Sequence, residues 1–497
     1  MVAILDTTLR EGEQTPGVCF PSHAKLAIAE ALDALGVDYI EAGHPVVSAE
    51  IADAVRVLAT RGYNAAVVAH ARANLDDVQI ALDCRVQFIG IFYCVTDERL
   101  RDVLKTGLSG AIDRVVKAIA WVKAQDPDVI VRFTPEDTLR STFENVVTVA
   151  VQAARAGADI ISIADTAGSA VPGTSSNLYD YVRDLRAALH RHKVAPQLAV
   201  HCHNDRGMAL ANALDAYRAG VDIIDATVMG LGERAGIVDL AQLLAVLAAD
   251  FGEGQRHLEH LPRIYRMVSE FSNRPIPGNA PIVGANAFTH RAGRKVRNTD
   301  TSVATSTGAA ATVDPAEFHS LDPALFGRRN ALVLDHMAGP SSLRDCLERA
   351  DLDTIYAPAI LDQIRDLGRQ GRVVTPDHLE HIVKWYETSA ESSCVARNGL
   401  RVACDFEVQV GPDRAVFGQA TSISKFGISL SLDAELHCGS LVSLVIVSGS
   451  DRYGVRGRVV WMSSSNGVRE YGVHFVFASP AERVSISNHM GRLLRAT

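Results

Sequence analysis

The chain has 497 residues, more than one ordinary domain needs, so a barrel with one or two smaller modules is the expected scale. Hydrophobic residues make up 47% and charged residues 22%, the balance of a water-facing globular protein, and the formal net charge of −9 excludes bulk electrostatic binding of a nucleic acid polymer, though not a small basic pocket. Eight cysteines are scattered with no CxxC pair, which excludes a disulfide framework or a zinc finger. No apolar run reaches the ~18 residues of a membrane helix, and the start lacks the basic-then-apolar order of a signal peptide. A cytoplasmic protein with reduced thiols and no membrane contact is expected.

In chain order, eight short β-rich runs come first: Val2–Leu5, Val37–Glu41, Ala65–Ala69, Val86–Phe92, Val129–Phe133, Asp159–Ala164, Leu198–His201 and Val221–Thr227. Stretches of helical period separate them, such as Ser22–Leu35 and Phe143–Ala156. Eight β/α alternations within ~250 residues predict an α/β protein built on a (β/α)8 TIM barrel. A doubly wound sheet is the alternative, but no glycine-rich dinucleotide loop follows the first strand. The barrel is expected over residues 1–270 and a partly helical post-barrel segment over 271–389. Within that segment 273–312 reads as loop-like in part, while Asp335–Leu367 and Pro376–Ser389 read as helical. From 390 to 497 the composition alternates Val, Ile, Ser and Gly. Val402–Val410, Gly418–Thr421, Gly427–Leu432, Leu441–Val447, Gly454–Trp461 and Tyr471–Phe477 predict a small six-stranded antiparallel β-barrel, followed by a helix from about Pro480.

In a barrel of this kind, function gathers where the strands end. The first strand runs into Arg10, Glu11 and Gln14, the second into Glu41 and His44, the third into His70 and Arg72. The fifth leads to Arg132, Thr134 and Glu136, the sixth to Asp165 and Thr166, the seventh to His201, His203, Asn204 and Asp205, and the eighth to Gly230–Arg234. His201 and His203 are two apart on a strand, so both imidazoles share a face. An isolated HxH is more often structural than metal-binding. Beside Asn204-Asp205, and with Glu11 across the barrel mouth, this one reads as a divalent-metal site for Mn, Mg, Zn or Co. Open coordination positions would chelate a 2-oxo acid and polarise its carbonyl. Arg10 would stabilise the developing alkoxide, while Arg132 and Thr166 would hold a carboxylate. For Arg132 the plain alternative is an ion pair with Glu136; for Asp165 a helix cap or loop bond is preferred.

The segments DTTLREGEQTPG, VRFTPED, ISIADTAG, HCHND and GLGERAGI, in this order within about residues 1–340, resemble the homocitrate synthase and isopropylmalate synthase family of metal-dependent Claisen-condensing barrels. The resemblance implies condensation of acetyl-CoA with a 2-oxo acid, then thioester hydrolysis, in a homodimer. It makes Arg10 the catalytic arginine, Glu11, His201 and His203 the metal ligands, and Gln14, Arg132 and Thr166 oxo-acid contacts. Arg72 joins the expected substrate-binding set and Glu136 the catalytic set. Glu11 in LREG, and Ile237 after GERAG, lean toward 2-oxoglutarate as substrate and homocitrate as product. Two positions depart from the family: Lys295 stands where an acid–base His is usual, and Phe318 where a Tyr is usual. Lys295 could take over as base only with its pKa lowered by burial or by a cationic neighbour such as Arg294.

In the last module, Arg397 and Arg401 sit four apart ahead of the first strand, and Ser422, Ser424 and Gly427 form an SxSxxG turn. With the later GRVVW and YGVHF strands these segments resemble the PilZ domain over about residues 392–495, which implies cyclic di-GMP binding. Ser422 replaces the family's usual Asp or Asn and is a weaker acceptor for guanine. The functional expectation is therefore an acyltransferase tuned by cyclic di-GMP. The alternative is a cyclic di-GMP receptor whose barrel is catalytically impaired and senses a ligand.

Overall fold

The computed structural model describes residues 1–290, 320–350, 352, 354, 357–375, 378–384, 386, 402–411, 416–424, 427–448, 451–465 and 468–477. The chain divides into two compact units, Met1–Arg349 with Ala357–Pro376, and Ala350–Tyr356 with Asp377–Thr497.

The first unit is built on β1 (Ala3–Asp6), β2 (Tyr39–Gly43), β3 (Ala66–Arg72), β4 (Phe88–Cys94), β5 (Ile130–Glu136), β6 (Ile160–Asp165), β7 (Gln197–Cys202) and β8 (Ile223–Ala226). They pair in parallel and in chain order, and β8 closes the barrel against β1 from Ala3↔Ile223 to Asp6↔Ala226. All eight expected strands are present. The first six lie one to three residues further along the chain than expected. The reason is burial: Val2, Val37, Ala65, Val86 and Val129 are packed away before their strands begin pairing, so they read as strand without being strand. The helix Ser22–Leu35 stands where expected and ends on Gly36 at φ 90°.

Side chains alternate along each strand, and the barrel uses both phases. Ile4, Ile40, Val67, Ile89, Val131, Ile161, Val200 and Ile224 face outward into the main core beneath the helices. Leu5, Val68, Phe88, Ile160, Ala199 and Ile223 meet inside as a separate apolar plug, with Tyr39 and Ile130 against it. Two residues further along each strand the same inward phase carries Thr7, Glu41, His70, Gly90, Arg132, Ser162, His201 and Asp225. A polar layer is thus stacked on the apolar one, at the strands' C-terminal ends.

After the barrel, β9 (Thr289–His290) pairs in parallel with β10 (Ala331–Leu332). The helical stretch expected over Asp335–Leu367 is two helices, Pro340–Arg349 and Ala357–Arg369. Pro358 explains the second start, because proline fits only the first turn of a helix. In the second unit, β11 (Val402–Val410), β12 (Val416–Ser424), β13 (Gly427–Leu432), β14 (Leu441–Ser448), β15 (Asp451–Ser465) and β16 (Val468–Val476) close an antiparallel barrel in the order β11-β12-β13-β16-β15-β14. Val408, Ile428, Leu430, Ile446, Tyr471 and Phe475 fill its centre. The helix expected from about Pro480 lies outside the described residues.

Candidate active site

The polar layer is organised by two buried carboxylates. Glu41, in the middle of β2, accepts from Arg10 Nε at 2.7 Å and from Thr7 Oγ1 at 2.5 Å, both on Oε2. Its Oε1 lies 3.0 Å from His70 Nδ1. Burial works to raise the Glu41 carboxyl, but Arg10 and His70 outweigh it and hold it well below the usual range. A carboxylate can only accept, so His70 carries its proton on Nδ1 and leaves Nε2 as an acceptor. Burial and the nearby Arg10 push the His70 pKa down to about 4. Asp225, on β8, accepts from Arg132 Nη1 at 2.8 Å on Oδ1, and its Oδ2 lies 3.0 Å from His201 Nδ1. Arg132 and His201 overcome the cost of burying Asp225 and lower its pKa.

Glu11, His201 and His203 converge. One ligand atom from each lies within 4.8 Å of the others, and all three residues are buried. Glu11 is fixed from both sides, with Oε2 2.5 Å from Arg10 Nη1 and Oε1 accepting from Glu233 N at 2.9 Å. The backbone of the β8 loop reaches that close because residue 232 is glycine; a Cβ there would sit 3.0 Å from Glu11 Oε1. Burial tends to raise the Glu11 carboxyl, yet Arg10 and the two histidines hold it below its usual value. Burial and His201 depress His203 to about 4, so its imidazole is neutral. His203 Nδ1 is buried without a hydrogen-bond partner. Two imidazoles, one carboxylate and an orphaned ring nitrogen are what a divalent cation needs, so the residues fit the metal expected from the sequence.

This cluster opens into a cavity of 540 Å³. Arg10, Glu11, Gln14, Arg132, Glu136, Thr166, His201 and His203 all line it, as do His44, His70 and Thr134. With its amide oriented to satisfy both atoms, Gln14 donates to Glu11 Oε2 at 2.9 Å. Thr166 Oγ1 accepts from Asp137 N at 3.0 Å, which leaves its hydroxyl hydrogen free to donate. Arg132 Nε, Thr134 Oγ1 and Ser162 Oγ are buried without partners, so unused polar capacity remains beside the triad.

Several expectations need correction. Arg72 does not line the cavity; its side chain is 56% exposed and its guanidinium is held by Asp77 through Nε at 2.6 Å and Nη2 at 2.9 Å. Asp77 stands in the first turn of the next helix, Leu75–Asp83, and holds the arginine away from the cavity. Arg132 is paired with Asp225, not with Glu136, whose carboxylate instead receives Arg99 Nη1 at 2.5 Å. Position along the strand is the cause: the two residues share a phase, but Glu136 stands four residues further along β5, where the strand ends at the rim. Asp165 accepts from Ser169 N and Ala170 N, the preferred loop bond. Asp225 carried no expected role, although a carboxylate at an inward position of an otherwise apolar strand was a usable signal.

In the C-terminal barrel, Ser422 and Ser424 belong to β12, which runs further than the expected Gly418–Thr421. Ser422 pairs with Ser429, and Ser424 with Gly427. Gly427 has a packing role: a Cβ there would lie 2.5 Å from the Val473 carbonyl oxygen of β16. Lys295, Phe318, Arg397 and Arg401 lie outside the described residues. No described helix is long and apolar enough to cross a membrane.

Residues 1–268 match the HMGL-like family and residues 396–493 match the PilZ domain. A homocitrate synthase of Pyrococcus horikoshii is 40% identical over 363 residues, covering 73% of this chain and 94% of that protein. A homocitrate synthase of Saccharolobus islandicus is 40% identical over 367 residues, covering 73% of this chain and 75% of its own. Among solved structures, an HMG-CoA lyase of Brucella melitensis aligns with a TM-score of 0.46 and 22% identity, over 55% of this chain and 99% of that one.

Proposed function

Because the chain belongs to the HMGL-like family, and matches homocitrate synthases along most of their length, we propose that its barrel condenses acetyl-CoA with a 2-oxo acid, 2-oxoglutarate giving homocitrate. The observation that carries this reading is the convergence of Glu11, His201 and His203, braced by Arg10, on one cavity. Those three residues would hold a divalent ion. When bound, the ion supplies a Lewis acid toward the ketone of the oxo acid. Arg10, locked by Glu41, donates to the oxygen that gains charge. Arg132 still has Nε to offer a carboxylate, and Thr166 offers its hydroxyl hydrogen. Gln14 orients Glu11 and reaches the same cavity. Glu136, a carboxylate of the cavity wall, is the described group proposed to move the proton of the acetyl methyl, with Lys295 as the sequence's other candidate. The post-barrel segment, 271–389, is proposed to complete the site in a homodimer.

The test is thiol release from acetyl-CoA in Mn²⁺ or Mg²⁺ with a panel of 2-oxo acids. Release with 2-oxoglutarate is expected, and release no greater than that of Arg10→Ala would overturn the reading. The PilZ domain is proposed to bind cyclic di-GMP through Arg397, Arg401, Ser422 and Ser424 and to tune that activity. Calorimetry on the full chain should show nucleotide binding that Arg401→Ala abolishes. A second reading, favoured by Lys295 and Phe318, is a cyclic di-GMP receptor with an impaired barrel. It predicts nucleotide binding without thiol release, and a sharp gain of turnover in Lys295→His.

A further inference from the structure

Asp225 touches both halves of the candidate site. Its side chain is fully buried at 0% exposure. One oxygen takes a hydrogen bond from Arg132, the residue proposed to grip the oxo acid, at 2.8 Å. The other lies 3.0 Å from Nδ1 of His201, a residue of the metal triad. Both partners are buried, and both approach as donors: the guanidinium has no acceptor, and a ring nitrogen facing a carboxylate must carry its proton. With Nδ1 of His201 turned to the carboxylate, Nε2 is the ring nitrogen left to the triad.

We propose that Asp225 is a positioning residue that serves two sites at once. It selects the metal-competent tautomer of His201 and fixes the fork of Arg132, so metal affinity and oxo-acid affinity cannot be altered independently through it. Carboxylates behind metal-bound histidines are worth ~10–100-fold in metal affinity. Here the same carboxylate is committed to a substrate-facing cation as well. The two oxygens are consumed by two donors on different strands, β5 and β7, which a one-acceptor side chain cannot satisfy together. The inference rests on the proposed metal and oxo-acid roles of those partners.

Asp225→Asn keeps the shape and removes one acceptor. If its amide oxygen serves Arg132, its NH2 faces His201 and forces the proton to Nε2; if it serves His201, its NH2 faces the Arg132 guanidinium. Titrating the full-length protein with Mn²⁺ alone, by calorimetry, should show affinity reduced ~10–100-fold by the substitution. At saturating Mn²⁺ the KM for 2-oxoglutarate should rise by more than kcat falls. Wild-type affinity retained in Asp225→Asn would overturn the inference alone. Absence of Mn²⁺ binding in the wild type would overturn the metal site itself and the inference with it. Imidazole ¹⁵N spectra of the metal-free wild type give a readout that needs no folded Asp225 variant. With the His201 signal assigned from its loss in His201→Gln, the inference requires the Nδ1–H tautomer, and an Nε2–H tautomer would refute it.

Discussion

Glu41 makes the most demanding prediction. It is buried without exposure and accepts from Arg10, Thr7 and His70. Arg10 is itself largely buried and has Glu11 as its other close carboxylate. Glu41→Ala therefore leaves a guanidinium half-compensated in a low-dielectric layer and three donors without their acceptor. Breaking one side of a buried pair costs ~3–5 kcal/mol. Glu41→Gln is milder. Its amide oxygen can keep Arg10 and Thr7, and its NH2 can face His70 once that ring shifts its proton to Nε2. The lost charge then costs ~1.5–3 kcal/mol, the range of a charge-assisted hydrogen bond. Urea unfolding midpoints of the metal-free protein should follow the order wild type, Gln, Ala. Turnover follows Arg10: if the guanidinium stabilises developing charge, losing its orientation in Glu41→Ala should lower kcat ~10²–10³-fold. A Glu41→Ala protein with wild-type midpoint and wild-type kcat would refute the claim that this carboxylate holds Arg10 in place.

Three further outcomes follow from the same geometry. The depressed pKa of His70, about 4 against 6.5 when exposed, means that its stabilising contribution is full above pH 6.5 and is lost as pH falls toward 4. That drop amounts to ~3 kcal/mol. Urea midpoints at pH 7.5 and 5 should separate less in His70→Asn than in wild type, and equal separations would remove the group from the acid response. Gly427→Ala forces a methyl against the Val473 carbonyl, which should cost the C-terminal unit ~1–3 kcal/mol and lower its calorimetric transition while that of the first unit stays put. Chelation should abolish thiol release and Mn²⁺ restore it; Mn²⁺ at 100 times its Kd should stabilise the first unit by ~2.7 kcal/mol, and no shift in its melting would count against the triad as a metal site.

Much of the architecture was legible because it follows from periodicity. Eight apolar runs separated by helical stretches give eight paired strands, and the alternating C-terminal runs give a closed six-stranded barrel. The convergence of Glu11, His201 and His203 was legible because the two histidines stand two residues apart and Glu11 follows the first strand. Partner choice was not legible. Nothing local says that Arg132 turns to Asp225, 93 positions away, or that Arg72 is taken by Asp77, five positions away. The first pairing depends on barrel closure, which brings β5 and β8 face to face across the interior, and the second on how the first turn of the helix Leu75–Asp83 folds back on the end of β3. Strand starts were misread where buried entry residues such as Val37 and Val129 resemble strand residues in composition. The role of Gly427 was hidden for a similar reason, since the atom it must avoid belongs to a strand more than forty positions later.

The stacking of a polar layer on an apolar plug gives each barrel strand a double duty. The residue that seals the interior and the residue that faces the cavity are two positions apart on the same strand, as Val68 and His70 are on β3, or Ala199 and His201 on β7. A single-residue deletion ahead of the pair in such a strand would turn both to the outer face in one stroke. Length errors ahead of the plug residue should therefore disturb seal and chemistry together, whereas substitution can separate them.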